Sequence, residues 1–586
     1  MSRRKFEIVL ARTAGFCMGV RRAVGMVLKA ADAPDCPEPI RTFGPLIHTR
    51  QVLQVLESRG IRALGEEERA PGTVVVRAHG LPRETQAALS RQARRLVDAT
   101  CPHVRRVQQL AEEYTRQGYT CIIVGDAGHA EVEGVRSFAG ALGHVVSGPD
   151  EVDALPPADK VVVVAQTTQD EDTFRRTVQR VRQRYGECVA FETVCRSTGQ
   201  RQAEVRELAP RVDAMVVVGG LDSANTRRLA EISAATGTPT FHVETERDLD
   251  LDRLLQCERV GLTAGASTPS WMIRRVMRRL EYAGRRRASR GSYLLWTVVS
   301  GLVNANVYAA GGAAALTYAC AHLSPALPGR LALCMAVAFF FVLGQQLLNQ
   351  YGRREVLYLS EPDRADFFMA NERALLALGA VSFMSALVLA APLGWPAFGL
   401  VALGSVGGLM YRVKLPRAMN LGLGFTSLEQ LPASKETFVA LAWAALASVV
   451  PQLAGGSARW PCVAAAFAAA FVLTFQRTLA QDLCDVEGDQ LVGRETLAGA
   501  LGPRAAGRLF YGLAALLAAT LGGLGGLGGY TSRFGLLMLA AVPYCLGYFR
   551  ALRRWERPEG MRVELLVDGQ FYLLALLALG WELATG

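Results

Sequence analysis

Two hydrophobic patterns divide the chain. Up to about Leu280, short β-branched runs alternate with amphipathic, arginine-rich helical stretches. The runs Gly72–Val76, Thr120–Val124, Lys160–Ala165, Ala214–Val218 and Arg259–Thr263 read as strands. Strands separated by helical patterns predict an α/β fold with parallel sheets. Beyond Ser292 the apolar runs lengthen to about the 20 residues that cross a bilayer. Roughly nine such segments fall at 293–318, 329–348, 373–391, 395–411, 436–453, 461–480, 505–528, 534–550 and 564–582. Small-residue stretches such as Gly522–Gly526 allow close helix approach.

Between the two patterns lies a basic hinge of Arg274, Arg275, Arg278, Arg279, Arg285, Arg286, Arg287 and Arg290. A nucleic-acid patch is one reading of it. Because it abuts an apolar run at Tyr293, the better reading is the cytoplasmic flank of a membrane helix, with no nucleic-acid partner. The expected organisation is an α/β domain over 1–283, a basic linker over 284–291 and an all-α polytopic membrane domain over 292–586.

Composition is the average of these halves: 586 residues, 51% hydrophobic, only 20% charged, net charge +11. That excludes disorder, collagen and a disulfide-rich miniprotein. Twelve cysteines are too few for a disulfide framework over this length. The start, Met1 to Leu10, has no signal-peptide apolar core, so the first half is expected in the cytoplasm with reduced thiols.

Three cysteines stand in unusual contexts. Cys17 lies in Ala14–Val20 between glycines, Cys101 precedes Pro102, and Cys195 precedes Arg196-Ser197-Thr198. They are 84 and 94 residues apart, each about one small α/β unit, as if three lobes each gave one thiolate. No C-x₂-C knuckle is present, which argues against a compact structural zinc site. Three converging thiolates suit a 4Fe–4S cluster with one open iron, although buried free cysteines, the reading given to Cys36, Cys121, Cys188 and Cys257, are the commoner outcome. His48, His79 and His129 fall in glycine- or proline-rich loop contexts. Polar groups at Gln166-Thr167-Thr168, Ser223-Ala224-Asn225 and Gly265-Ala266-Ser267 follow strand runs, where ligands of parallel sheets bind. Such groups suit an anionic, phosphate-like ligand.

Taken in order, the segments 14–20, 44–48, 77–80, 98–102, 128–134, 166–168, 192–195 and 263–267 resemble the 4-hydroxy-3-methylbut-2-enyl diphosphate reductase (IspH/LytB) family along the whole first half. The resemblance implies three α/β lobes around a central 4Fe–4S cluster held by Cys17, Cys101 and Cys195. It implies reductive removal of a hydroxyl to give isopentenyl and dimethylallyl diphosphates, with electrons from a ferredoxin or flavodoxin type donor. Carried over, His48, His79, Ser223, Asn225 and Ser267 hold the diphosphate, and Glu131, His129 and Thr167 line the proton path. Ala224 departs from the family's usual serine, a missing hydrogen bond of about 1–3 kcal/mol unless Ser223 and Thr226 compensate.

In the second half, Asp482, Asp485 and Asp489 are spaced to share a helix face and to hold Mg²⁺ on a diphosphate, with Arg477 one turn earlier. This resembles the second aspartate motif of UbiA-type intramembrane prenyltransferases. The first motif is altered: Asn349-Gln350-Tyr351-Gly352-Arg353 carries no acid, leaving Asn349 with Glu355 or Glu361 to replace it. Two readings stand: a bifunctional membrane enzyme that also transfers prenyl groups, or a reductase tethered by a non-catalytic module that binds lipid or a partner.

Overall fold

The computed structural model describes residues 6–33, 36–47, 49–64, 72–288, 290–324, 327–351, 361–411, 431, 433–455, 460–491, 496–526, 533–554 and 560–585. The chain separates into two compact units, Met1–Arg290 and Gly291–Gly586.

The first unit opens with β1 (Glu7–Leu10), α1 (Met18–Asp32), β2 (Ile40–Phe43), α2 (Arg50–Ser58), β3 (Ile61–Ala63), β4 (Thr73–Val76), α3 (Arg83–Gln92) and β5 (Arg95–Asp98). It continues through α4 (Pro102–Arg116), β6 (Thr120–Val124), α5 (Ala130–Ala139), β7 (Gly143–Val146), β8 (Lys160–Ala165), α6 (Glu171–Arg184) and β9 (Glu187–Ala190). It ends with α7 (Arg196–Leu208), β10 (Ala214–Val218), α8 (Ala224–Ala235), β11 (Thr240–Val243), α9 (Leu251–Leu254), β12 (Arg259–Ala264) and α10 (Ser270–Ala288).

The strands form three four-stranded sheets, in the orders β1-β12-β10-β11, β3-β2-β4-β5 and β7-β6-β8-β9. Every pairing is parallel. The five runs expected as strands are all inner strands. An inner strand of a parallel sheet is buried on both faces and reads as an unbroken apolar run. Val161–Val164 of β8 and Val216–Val218 of β10 are fully buried, each valine contributing about 1.5–3 kcal/mol. Helices cover both faces of the third sheet, with Val107 and Leu110 of α4 on one side and Phe174, Val178 and Val181 of α6 on the other. The first expected strand begins one residue late, at Thr73; at Gly72 the chain passes so close to Pro39 that a side chain would stand 2.2 Å from its carbonyl oxygen.

In the second unit, among the described residues, seven helices are long and apolar enough to cross a membrane. They are Leu331–Tyr351, Glu372–Leu393, Ser434–Leu453, Trp460–Cys484, Leu497–Gly523, Phe534–Arg554 and Gly560–Thr585. The first expected span is not one helix. Tyr293–Asn304 and Val307–Ala321 meet at a 70° bend, where Asn306 takes a left-handed conformation (φ 59°) that asparagine tolerates better than most residues. The segment expected at 395–411 is a helix, Trp395–Met410, below the length of the other seven. Among the described residues, counting the bent pair as one span gives eight, and the shorter Trp395–Met410 accounts for the remaining expected segment. The chain is a multi-pass membrane protein.

Candidate functional site

Each of the three cysteines stands at a helix N-terminus, one per sheet. Cys17 caps α1, Cys101 caps α4 and Cys195 caps α7, and all three are free and half-buried. Helix N-termini present unpaired N–H groups and positive dipole ends, which favour a thiolate over a thiol. The Cys17 sulfur accepts from the Val20 N–H at 3.4 Å. At Cys101, burial pushes the thiol up from its ordinary pKa, while the N–H groups of His103 and Val104 oppose the shift.

One bond recurs in each lobe. The Cys17 N–H donates to the Ala266 carbonyl (3.0 Å), the Cys101 N–H to Ala78 (2.9 Å) and the Cys195 N–H to Thr167 (2.9 Å). Each acceptor lies two residues past an inner strand, β12, β4 or β8. Each is also Thr167 itself or the neighbour of another expected site residue, Ser267 or His79. Cys17 and Cys101 approach one another around Gly19, where an added Cβ would sit 2.6 Å from the Cys101 sulfur and 3.8 Å from that of Cys17. Among the described residues no three His, Cys, Asp or Glu side chains close on a single metal ion. Three thiols from three lobes fit a multi-iron cluster better, since a cluster spaces its ligands further apart than one ion does.

Beside Thr167 lies a buried acid. Glu131 is 1% exposed, and its carboxylate accepts from the Thr167 N–H (2.6 Å) and the Thr167 hydroxyl (2.9 Å). Burial pushes this carboxyl up to about 7, against the two Thr167 hydrogen bonds that pull it down. His129 caps α5, its Nδ1 accepting from the Glu131 N–H at 3.2 Å. The His129 ring meets that of His79 edge-on, with centroids 5.6 Å apart.

The hydroxyl and amide groups gather at the ends of β10 and β12. Ser223 caps α8 and accepts from the Thr226 N–H at 3.4 Å. Asn225, Thr226 and Ser267 are buried, and both Asn225 amide atoms and the Thr226 and Ser267 hydroxyls lack hydrogen-bond partners. A buried polar group without a partner carries a desolvation penalty of about 1–3 kcal/mol that a bound anion would relieve. Glycine makes the room: a side chain at Gly265 would stand 2.1 Å from the Thr226 hydroxyl, and one at Gly219 (φ +146°) 2.9 Å from it. Thr49, at the start of α2, donates to the Ser267 carbonyl at 2.6 Å, while His48 lies outside the described residues. Ala224 is the first residue of α8, between Ser223 and Asn225.

The family model described as LytB protein matches residues 8–281. A 4-hydroxy-3-methylbut-2-enyl diphosphate reductase of Geobacter sulfurreducens is 44% identical over 277 residues, covering 47% of this chain and 97% of that protein. The chain belongs to the LytB family. A solved structure of (E)-4-hydroxy-3-methyl-but-2-enyl diphosphate reductase is 37% identical, covering 47% of this chain and 99% of that one, with a TM-score of 0.38. The model for the UbiA prenyltransferase family matches residues 309–574. A UbiA homolog from Archaeoglobus fulgidus bound to GPP and Mg²⁺ is 16% identical, covering 49% of this chain and all (100%) of that one, with a TM-score of 0.38.

Beyond the LytB unit, three buried ion pairs lie in the membrane bundle among the described residues. Asp482, 2% exposed on the helix Trp460–Leu491, takes the Lys435 ammonium on Oδ1 at 2.5 Å and leaves Oδ2 without a partner. Arg477 does not turn to Asp482: it holds Asp568 by two bonds, of 2.5 and 3.0 Å. Arg364 grips Glu564 at 2.6 Å and also holds Glu361 at 2.5 Å. Asp485 and Asp489 belong to the helix Trp460–Leu491, but their side chains, like all of Glu355, lie outside the described residues. Asn349 is half-buried near the end of Leu331–Tyr351. Sequence reasoning passed over Glu564 and Asp568, and over Arg201 and Glu204 of α7. An arginine among 64 basic residues gives no signal of its own, whereas acids inside an apolar run do.

Two outcomes follow from this geometry. Gly19→Ala is expected to drive the Cys101 sulfur from its place, lowering iron uptake after anaerobic reconstitution while the circular dichroism stays unchanged. For Glu131, the folded protein keeps a proton that an unfolded carboxyl releases near pH 4.5, so stability falls as pH rises from 4.5 to about 7. The shift corresponds to roughly 3 kcal/mol at most. Unfolding midpoints of the iron-free protein across that window should slope down in the wild type, and Glu131→Gln should remove that part of the slope.

Proposed function

We propose that the LytB unit reduces 4-hydroxy-3-methylbut-2-enyl diphosphate to isopentenyl and dimethylallyl diphosphates on a 4Fe–4S cluster bound by Cys17, Cys101 and Cys195. The observation that carries this is the repeated hydrogen bond from each cysteine N–H to the segment bearing Ser267, His79 or Thr167. Such a cluster supplies Lewis acidity at its open iron and electrons one at a time. The chain's own groups do the rest. Asn225, Thr226, Ser223 and Ser267, with His79 and His48, hold the diphosphate. Thr226 stands behind Ser223 where Ala224 offers no hydroxyl.

Loss of the allylic hydroxyl consumes two electrons and two protons and releases water. Hydroxide leaves poorly until protonated, and Glu131, buried and titrating near neutrality, holds that proton, with the Thr167 hydroxyl against it. The electrons come from an external carrier of ferredoxin or flavodoxin type. The arginines before Tyr293 support a cytoplasmic placement of this unit.

Replacing any one of the three cysteines with serine should abolish the broad absorbance near ~400 nm of thiolate-bound iron; cluster retained in all three variants would defeat the assignment. In Glu131→Gln, turnover should fall by about 10²–10⁴ with substrate still bound. Wild-type turnover should itself decline as pH rises through about 7, because the acid form is the proton donor.

For the membrane unit we propose prenyl transfer, supported by the UbiA family match over 309–574 and by the buried Asp482. Among the described residues the donor set for Mg²⁺ is incomplete: one open oxygen of Asp482, with Lys435 already on the other. Asp485 and Asp489 would have to complete it. That closed pair, together with Gln350 and Arg353 in the first motif, favours a second reading, a non-catalytic module that tethers the reductase. Detergent-solubilised protein should bind a long prenyl diphosphate only with Mg²⁺, and lose it in Asp485→Asn. No binding by the wild type, with or without Mg²⁺, leaves the tether.

A further inference from the structure

The helix that begins at Cys195 also holds the loop that carries Cys17. Arg201 and Glu204, three residues apart on α7, share a face. Arg201 is 4% exposed and donates from one terminal nitrogen to the Gly15 carbonyl at 2.5 Å. Its other terminal nitrogen binds the Ser197 carbonyl (3.1 Å) and hydroxyl (2.5 Å), two residues after Cys195. Glu204 takes the donors of the same loop: the Arg12 N–H at 2.6 Å, the Thr13 N–H at 2.9 Å and the Thr13 hydroxyl at 2.5 Å. The cation thus receives the loop's acceptor and the anion its donors. The grip spans 186 and more residues of sequence and ties the loop after β1 to a helix that packs on β10 of the same sheet.

We propose that Arg201 is a positioning residue for the cluster, clamping the Cys17 loop to the Cys195 helix and supplying a buried positive charge that favours the cluster's reduced state. This rests on the cluster assignment above. Arg201 binds the backbone two residues before Cys17 and two residues after Cys195, which places its charge beside both of those cysteines. Reduction adds an electron to a group already carrying thiolate charge, and a fixed cation in a poorly solvated site offsets that addition. The charge and the clamp are separable, because Glu204 shares the clamp and bears the opposite charge.

The test is a redox titration of the anaerobically reconstituted full-length protein followed by electron paramagnetic resonance, with iron release to a chelator measured alongside. Arg201→Met is expected to lower the reduced-to-oxidised ratio at fixed potential at least tenfold, a shift of about 59 mV for one electron, and to speed iron release. Arg201→Lys should keep the wild-type midpoint and still speed iron release. Glu204→Gln should speed iron release while moving the midpoint upward or not at all. A wild-type midpoint in Arg201→Met, or an equal fall in Arg201→Lys, overturns the charge role. Unchanged iron release in both Arg201→Met and Glu204→Gln overturns the clamp. If Arg201→Met takes up no cluster, the clamp is supported, and a lowered midpoint in Glu204→Gln would overturn the charge role. A wild type that takes up no cluster defeats the cluster assignment itself.

Discussion

Three main-chain hydrogen bonds, one in each sheet, set the geometry of the LytB unit. A buried N–H must find an acceptor, and each cysteine N–H finds one two residues beyond an inner strand: Ala266, Ala78 or Thr167. The strand is the rigid part, fixed by its parallel neighbours and a fully buried valine face. The loop that leaves it is short enough to carry that rigidity to the carbonyl. Because the acceptor is the covalent neighbour of Ser267 or His79, or is Thr167, the thiol and the polar groups proposed to hold substrate are set by the same strand end. Neither set can shift by much without breaking the bond that places the other.

The same arrangement brings electrostatics into register with geometry. Three helices start at the three thiols, so three positive dipole ends point into one place, and Arg201 adds a whole charge there. Against this, Glu131 is linked through Thr167 to Cys195, yet burial keeps its proton near neutral pH. The lobe structure thus separates a region that stabilises negative charge from one that keeps an acid protonated. Both conditions are needed where electrons arrive and a hydroxyl must leave as water.

How much of this could be read in the sequence depended on burial. Inner strands such as β8 and β10 showed as valine runs, whereas edge strands such as β5 and β9, half-exposed and each opening on a charged residue, did not. The cysteine and histidine contexts stood out because glycine and proline flank them, and the glycines at 19, 219 and 265 are the positions where a side chain would collide with a neighbouring site group. What linear reading missed is contact between segments far apart in sequence: Arg201 with Gly15, Glu204 with Thr13. No local pattern distinguishes those two from the solvent-facing arginines and glutamates of neighbouring helices. The broken first span was hidden as well, since Asn306 sits in a sequence as apolar as an unbroken helix.

In the membrane bundle, charge conservation decides what prenyl-diphosphate chemistry would require. Buried acids in a bilayer are tolerated when paired, and Glu564, Asp568 and Asp482 each have a cation: Arg364, Arg477 and Lys435. Arg364 and Arg477 are held by two bonds each to acids on the helix Gly560–Thr585, so moving either would leave a carboxylate uncompensated. Lys435 is different. It is a compact ammonium on a flexible stem, and the second oxygen of Asp482 is already without a partner. In the proposed reading, a diphosphate arriving with Mg²⁺ would take the ammonium while the metal takes the carboxylate, an exchange that leaves both members of the pair compensated. Without a metal, the phosphate would draw Lys435 away and strand Asp482. If the proposed prenyl-diphosphate site is right, the pair would make metal and diphosphate binding mutually dependent.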